Sequence, residues 1–309
     1  MLSSGAFTDA WVPGPYGTNF YTRTFHATTP CAGLVFVHSA AEHCGRYTDF
    51  HRQLAAEHNI VVFAFDLRGF GQTALHPTHR SATSAYGKTD WDKQLDDVEW
   101  ALKRALDEFP GLPVFLMGAG MGGGIVLGLL CDVERAKIPV VASLAGVIAS
   151  APCITPTTPP PRPVFWFGSV IARIAPSVLY PARLKPQELS HNDQTNAAYV
   201  VDPFVMAPGS FRSLSDMLSA GERILQEDHA HWPENMPVLF LHGDADPVNS
   251  VKSTTALCEK IAARDKRLIT YPSAYHELHN EPDGVKEKYL LDVVDFVRSH
   301  LQSKPVEGQ

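Results

Sequence analysis

The segment VFLMGAGMGGG, residues 114–124, is an apolar run that passes into a cluster of glycines. The run Val114–Met117 has the length and composition of a strand that is buried on both faces. The residues after the glycines, IVLGLL at 125–130, are again apolar and suit a buried helix. We therefore predict a central strand that turns sharply, at the glycines, into a helix.

Two kinds of site are built on a strand, a glycine-rich turn and a helix. One is the nucleophile elbow, G-x-S-x-G, in which the turn exposes a serine hydroxyl and the next amide helps to form an oxyanion hole. The other is the dinucleotide-binding loop, whose G-x-G-x-x-G pattern is met by Gly118, Gly120 and Gly123. The next strand, ending near Ser150, carries no acidic residue to hold a ribose, so the pattern favours the elbow and no cofactor is expected.

Short strand-like runs alternate with helical patterns along the chain. The predicted strands are Leu34–Val37, Ile60–Phe65, Val114–Met117, Val147–Ala149, Val238–Leu241 and Arg267–Tyr271. The residues of 94–109 and 283–301 place apolar side chains at helical spacing. This alternation predicts an α/β fold, with a mostly parallel central sheet covered by helices on both faces.

A change in pattern follows the fourth of these strands. Residues 155–163, TPTTPPPRP, cannot form a helix or an inner strand and are predicted to be an exposed connector. The residues after it have short helical patches and aromatic side chains without strand periodicity. We predict a core formed by residues 1–151 and 233–309, with residues 152–232 inserted as a helical cap.

Composition excludes several classes of partner and location. The chain has 309 residues and a formal net charge of −7, so nucleic acid is an unexpected partner. Its five cysteines are scattered and show no metal-binding spacing, which favours a reducing compartment and no metal site. Met1–Val12 lacks a basic start and a long apolar core, and the apolar stretch Ile138–Ile154 is too short to span a bilayer and is broken by proline. A cytoplasmic location is expected.

Several further motifs resemble one family. These are FVHSAAEHCGRY at 36–47, DLRGFG at 66–71, LHGDAD at 241–246 and YHELHNE at 275–281 in the core, with LSHND at 189–193 and YVVDP at 199–203 in the cap. Together they resemble monoacylglycerol-lipase-like α/β-hydrolases of the serine aminopeptidase S33 type, over nearly the whole chain. The resemblance implies an α/β-hydrolase fold and metal-free hydrolysis of a carboxylic ester, with a monoacylglycerol or another apolar, lipid-like ester as substrate.

The resemblance also assigns roles to residues. Position 120 would hold the nucleophile, Asp246 would be the triad acid and His276 the base, in the chain order that this fold uses. The amides of Ala40 and Met121 would form the oxyanion hole. The cap implies transient contact with a membrane surface as well.

Four family positions depart together from the pattern. Ser39 and Ala41 replace loop glycines, Ala119 replaces a histidine, and Gly120 replaces the elbow serine. Ser39, Ala119 and Cys153 are expected to contact substrate, and Ser39 is not expected to substitute for the nucleophile. Glu42, also among the expected substrate contacts, either touches substrate or orders the oxyanion loop, and ordering is favoured.

Without a hydroxyl at position 120, ester hydrolysis is expected to be severely impaired. Removing the nucleophile of a comparable triad lowers turnover on the order of 10⁶-fold. Two other interpretations stay open: a non-hydrolytic catalyst (a lyase, isomerase or cyclase) that uses His276 and Asp246 as a general base, and a catalytically inactive ligand-binding protein. The glycine could reflect natural divergence or an engineered Ser-to-Gly change, and the cluster of departures favours divergence.

Overall fold

A computed structural model describes residues 6–180, 184–207 and 209–301 of the chain. Within these ranges the strands are β1 (Phe7–Pro13), β2 (Asn19–Phe25), β3 (Ala32–Val37), β4 (Ile60–Phe65), β5 (Val114–Ala119), β6 (Gly146–Ser150), β7 (Val238–Gly243) and β8 (Lys266–Tyr271). The helices are α1 (Thr48–His58), α2 (Gly71–Leu75), α3 (Trp91–Glu108), α4 (Met121–Cys131), α5 (Pro139–Ala142), α6 (Arg162–Ile174), α7 (Asp193–Val201), α8 (Phe211–Gln226), α9 (Val251–Lys260) and α10 (Val285–Ser299).

The strands form one sheet in the order β1-β2-β4-β3-β5-β6-β7-β8. Strands β3 to β8 run parallel, whereas β1 and β2 form an antiparallel hairpin at one edge. The predicted α/β architecture and all six predicted strands are confirmed. The hairpin was not predicted, because β1 is half-exposed and ends at Pro13, so it lacks the apolar run that marks the inner strands.

Both faces of the sheet are covered, which explains why the inner strands are apolar throughout. Alternate residues of β3 and β5, such as Val35 and Leu116, pack with α3 and α4 in one core cluster. Their neighbours, Leu34 and Met117, face the other way and pack with α1 and α10. Every residue of β3, β4, β5, β6 and β7 is buried. The sheet is therefore a rigid platform for the loops at its carboxyl edge.

Strand register determines which loops meet at that edge. Val37, the last residue of β3, pairs with Gly118 near the end of β5, so the loop after β3 lies beside the turn after β5. Gly243 and Tyr271 pair at the ends of β7 and β8 in the same way. The loops that follow β3, β5, β7 and β8 carry Ser39, Gly120, Asp246 and His276, respectively.

Residues 152–232, the predicted cap, contain α6, α7 and α8 between β6 and β7. Helix α6 packs against α8, and α8 packs in turn against α4 of the core. The predicted connector is largely exposed, although Pro156 makes a bridge to Asn249 in the loop after β7. Among the described helices, none has the length and apolar character that crossing a bilayer requires.

Close packing of α4 against β3 depends on Gly122. A Cβ atom built at this position would lie 2.2 Å from the carbonyl oxygen of Val37 and 2.6 Å from that of His38. We expect Gly122→Ala to lower the free energy of unfolding by about 1–3 kcal/mol, because the helix must move away from the strand. Urea denaturation monitored by circular dichroism measures this change.

Gly168 in α6 is the matched control, since a Cβ atom there would meet no atom within 4 Å. Gly168→Ala should leave the stability unchanged or raise it by up to about 1 kcal/mol, because alanine is the better helix former. Equal effects of the two substitutions would contradict the close-packing explanation.

Candidate active site

The turn between β5 and α4 has the backbone geometry of an elbow. Gly120 adopts φ +52° and ψ −116°, a conformation that side-chain-bearing residues rarely adopt. Its N–H donates to the carbonyl oxygen of Ser150 on β6 at 2.9 Å, and its own carbonyl accepts from the N–H of Cys153 at 2.8 Å. Backbone hydrogen bonds to β6 and to the residues after it therefore fix the turn. The elbow conformation is kept although residue 120 has no side chain.

The side chain of Ser39 stands where a side chain on Gly120 would begin. A Cβ atom built on Gly120 would lie 2.0 Å from Oγ and 2.8 Å from Cβ of Ser39, and 3.2 Å from Nε2 of His276. The N–H of Met121 donates to the same Ser39 Oγ at 3.4 Å. The hydroxyl of Ser39 therefore occupies the space above the elbow.

The predicted acid and base lie in direct contact. Nδ1 of His276 is 2.9 Å from Oδ2 of Asp246. The other carboxylate oxygen, Oδ1, accepts hydrogen bonds from the N–H groups of Val248 and Asn249 at 2.7 and 3.0 Å. The carboxylate is therefore fixed, and it leaves Nε2 of His276 directed towards the elbow.

The contact shifts the pKa of both groups. Burial lowers the pKa of His276, but the charge of Asp246 and its hydrogen bond outweigh burial, so this pKa lies above the ordinary histidine value. Burial raises the pKa of Asp246, whereas the charge of His276 and the hydrogen bonds from His242 and His276 bring it well below its usual range. The pair is thus arranged for His276 to take up a proton while Asp246 stays ionised.

His242 is a partner of the pair that the sequence analysis missed. Its Nε2 lies 3.1 Å from Oδ2 of Asp246, and its Nδ1 is 3.0 Å from the hydroxyl of Thr254. Both His242 and Asp246 are buried, and they lie four residues apart at the end of β7. In the sequence, the only sign of this contact is the histidine four residues before the acid. The contact favours a role for His242 in positioning Asp246.

Glu42 orders the loop after β3. Its carboxylate accepts from the N–H of Ser39 at 2.8 Å and also from Tyr47 and Arg46, and the guanidinium of Arg46 bridges to Glu277 beside the base. Because protein donors occupy both oxygens, the geometry favours loop ordering over substrate contact. The network ties the predicted oxyanion loop to the loop that carries His276.

One pairing suggested by the family motif at 66–71 does not form. Asp66 accepts from the N–H groups of Cys44 and Gln72, whereas Arg68 pairs with Asp97 on α3. Asp66 and Arg68 therefore do not pair with each other, although they lie two residues apart. Each side chain anchors a different loop instead.

Two recesses meet at the elbow. A cavity of about 710 Å³ is lined by Ser39, Ala40, Met121, Cys153 and His276 from the core, and by apolar side chains of the cap. A second, narrow recess shares Ser39, Ala40 and His276 with this cavity and is also lined by Ala119, Gly120 and Glu42. The structure thus brings together every residue that the sequence analysis placed in the site.

Cys153 is not an alternative nucleophile. Burial, with a smaller contribution from Asp246, raises the pKa of its thiol to about 12. The reactive form of cysteine is the thiolate, which is scarcely populated at neutral pH with such a pKa. Cys153 contributes to the wall of the cavity and not to the chemistry.

The sheet, the elbow and the order of the loops define an α/β-hydrolase fold. The model of the family described as serine aminopeptidase, S33, matches residues 28–283, and the chain belongs to this family. It is 32% identical over 282 residues to a putative monoglyceride lipase of Schizosaccharomyces pombe, a match that covers 90% of this chain and 70% of the relative.

Other relatives agree with this assignment. The monoglyceride lipase of Homo sapiens is 30% identical over 282 residues, with 90% of this chain and 86% of that protein covered. The crystal structure of a soluble variant of monoglyceride lipase from Saccharomyces cerevisiae, in complex with a substrate analog, superposes with a TM-score of 0.83 at 22% identity, covering 98% and 97% of the two chains. At this identity the superposition supports the fold.

The electrostatic coupling predicts the titration of two neighbouring histidines. In an NMR titration, His276 should have a pKa above the ordinary value of about 6.5. In Asp246→Asn its pKa should fall below that value, because burial remains while the negative charge is removed. Base catalysis by His276, which needs an unprotonated Nε2, should rise with pH through the raised pKa of the unsubstituted protein.

His279 is the internal control. Burial lowers its pKa to about 4. Asp246 is not among the main causes of this shift and the charge of His276 contributes least, so Asp246→Asn should change the pKa of His279 far less than that of His276. A His276 pKa that does not respond to the substitution would show that Asp246 does not set its charge.

Proposed function

We propose that this chain binds monoacylglycerols or related apolar, lipid-like esters and hydrolyses them far more slowly than an enzyme with an elbow serine. The observation that carries the proposal is an intact His276–Asp246 pair facing Gly120, a residue without a hydroxyl. The substrate class is supported by the similarity to monoglyceride lipases. Losing a nucleophile costs on the order of 10⁶ in turnover, about 8 kcal/mol of activation barrier.

The cavity supports an apolar ligand. Its cap side is lined by Phe167, Ile171, Leu214 and Leu218, and its core side by Ala40, Met121 and Cys153. A volume of about 710 Å³ lies within the range of ordinary ligand sites. We propose that residues 152–232 act as a cap over the core of residues 1–151 and 233–309, so that an acyl chain lies between them and the ester lies at the elbow.

A second candidate function uses the same pair without acyl transfer. His276 and Asp246 form a general-base couple that opens onto the cavity, and the predicted oxyanion amides of Ala40 and Met121 line the same space. This arrangement favours a lyase, isomerase or cyclase over a binding protein without activity. Product analysis distinguishes the three functions: His276→Ala abolishes a conversion in either enzyme and changes nothing in a pure binder.

Location and membrane contact are part of the proposal. All five cysteines lie within the described residues and none forms a disulfide, which supports a cytoplasmic location. Apolar side chains on α6 are exposed, including Trp166 at 68% and Ile174 at 80%. We propose that this surface of the cap touches a membrane transiently while substrate is taken up.

Vesicle flotation tests the membrane contact. Trp166→Ser combined with Ile174→Ser should reduce association with phosphatidylcholine vesicles. The free energy of association weakens by about 25 cal/mol for each Å² of apolar surface that no longer contacts the membrane. Leu291→Ser on α10, which removes an apolar side chain that is 51% exposed, is the control and should float like the unsubstituted protein. Absence of flotation for the unsubstituted protein would exclude the contact.

Restoring the hydroxyl tests the impaired hydrolysis. We expect Gly120→Ser combined with Ser39→Gly to raise monoacylglycerol hydrolysis on the order of 10³-fold or more, because it recreates the triad in a prearranged site. Gly120→Ser alone should gain less, since the new Cβ would lie 2.0 Å from Oγ and 2.8 Å from Cβ of Ser39. Free fatty acid released per mole of protein measures both.

Ligand binding is measured separately with a 1-O-alkylglycerol, an ether that cannot be hydrolysed. It should raise the melting temperature of the unsubstituted protein and of both variants. No binding to any of them would contradict the proposed ligand class, and binding without a gain in hydrolysis would show that the missing hydroxyl is not what limits the rate.

A further inference from the structure

Ser39 presents a hydroxyl at the point where the elbow residue carries none. We propose that Ser39 is the nucleophile of this protein and that its Oγ accepts the acyl group of the ester from the loop after β3. The inference rests on the proposed function, because it needs the ester to lie in the same cavity. Contrary to the expectation from the sequence motifs, it assigns to Ser39 the residual acyl transfer that remains without an elbow serine.

The first support is the position of the hydroxyl. A Cβ atom built on Gly120 would lie 2.0 Å from Ser39 Oγ and 3.2 Å from His276 Nε2. The oxygen thus lies in the space that an elbow side chain would fill, and the free nitrogen of the base borders the same space. Ser39 also lines both recesses and is partly exposed, so a bound ester can reach it.

The second support is that the backbone of Ser39 is held on both sides. Its N–H donates to Oε1 of Glu42 at 2.8 Å. The N–H of Leu67 donates to Nε2 of His38, so the proton of His38 is on Nδ1, which donates to the carbonyl oxygen of Ser39 at 2.7 Å. Burial lowers the pKa of His38, which keeps this tautomer neutral. A fixed backbone places the hydroxyl reproducibly.

The third support is that Ser39 Oγ lies beside a predicted oxyanion donor, so the carbonyl oxygen of an ester attacked there would be close to that N–H. The N–H of Met121 is directed at Ser39 Oγ at 3.4 Å, and Met121 is the first residue of α4, where the helix dipole favours negative charge. His276, ordered by Asp246, is the acceptor available for the hydroxyl proton. A base beside the space that holds a serine hydroxyl is the arrangement from which a serine is activated when substrate binds.

The acyl transfer balances without a cofactor. Ser39 Oγ attacks the ester carbon as its proton passes to Nε2 of His276, and a bond forms between Oγ and the carbonyl carbon. The bond from that carbon to the glycerol oxygen breaks, and this oxygen takes the proton from His276. Water then attacks the acyl carbon as its proton passes to His276. The bond from that carbon to Ser39 Oγ breaks, Oγ takes the proton back from His276, and the fatty acid is released.

The competing explanation is that Ser39 only fills the space above Gly120 and accepts a hydrogen bond from the Met121 N–H, a predicted oxyanion donor. The two explanations differ for Ser39→Ala. As nucleophile, Ser39 is required for any covalent acyl or phosphonyl adduct. As a filler, it obstructs the site, and its removal should leave reactivity unchanged or raise it.

An alkyl fluorophosphonate tests the inference, since attack by a serine forms an oxygen–phosphorus bond and releases fluoride. We expect the unsubstituted protein to gain one phosphonyl group by intact mass, and peptide mapping to place it on Ser39. Ser39→Ala should lose labelling by at least about 100-fold, a conservative fraction of the effect of removing a nucleophile. Ser299→Ala, which removes a hydroxyl bonded to Phe296 at the end of α10, is the matched control.

Binding of the 1-O-alkylglycerol to the same proteins tests the proposed ligand class independently of the proposed nucleophile. Binding to Ser39→Ala also shows that this variant is folded. Labelling of Ser39 that is lost in Ser39→Ala and kept in Ser299→Ala supports the inference. No label on the unsubstituted protein, a label on another residue, or undiminished labelling of Ser39→Ala overturns it, even if the ether binds. Failure of the ether to bind counts against the proposed ligand class alone.

Discussion

The contact between the loop after β3 and the turn after β5 is the constraint on which the chemistry depends. Parallel pairing of the two strands brings Ser39 and Gly120 side by side. Because φ of Gly120 is positive, a side chain on this residue would point at the Ser39 hydroxyl. The space above the elbow holds one side chain. In this chain that side chain is Ser39 from the neighbouring loop, and His276 borders the same space.

A buried polar network holds these loops in register. Glu42 fixes Ser39 and pairs with Arg46, and Arg46 pairs with Glu277, next to the base. The cap joins the same network, because Tyr199 of α7 lies under the Arg46 guanidinium and the N–H of Glu277 donates to the carbonyl of Leu189. Buried charges of this kind are costly when one partner is removed, so the site and the cap are coupled.

The sequence was most informative where physical constraints are local. Strands buried on both faces appear as continuous apolar runs, so β3 to β7 could be predicted, and the edge strand β8 was predicted from a shorter apolar and aromatic run. The hairpin could not be predicted, because β1 is half-exposed and β2 mixes apolar and polar residues. The motifs around Asp246 and His276 predicted a contact that the structure places at 2.9 Å. The motifs predicted Ser39 among the substrate contacts. The position of its hydroxyl above Gly120 could not be predicted, because it depends on strand register and on the Glu42 anchor, which no local pattern contains.

The central claim is that one bound ester would meet Ser39, Gly120 and His276 together. A crystal structure of the unsubstituted protein with a 1-O-alkylglycerol tests it most directly. We expect the alkyl chain between the cap helices α6 and α8 on one side and the core on the other. The ether carbon should lie over Gly120 within about 3–3.5 Å of Ser39 Oγ, the distance from which attack occurs. An ether bound outside this cavity, or a Ser39 hydroxyl turned away from His276, would contradict the account.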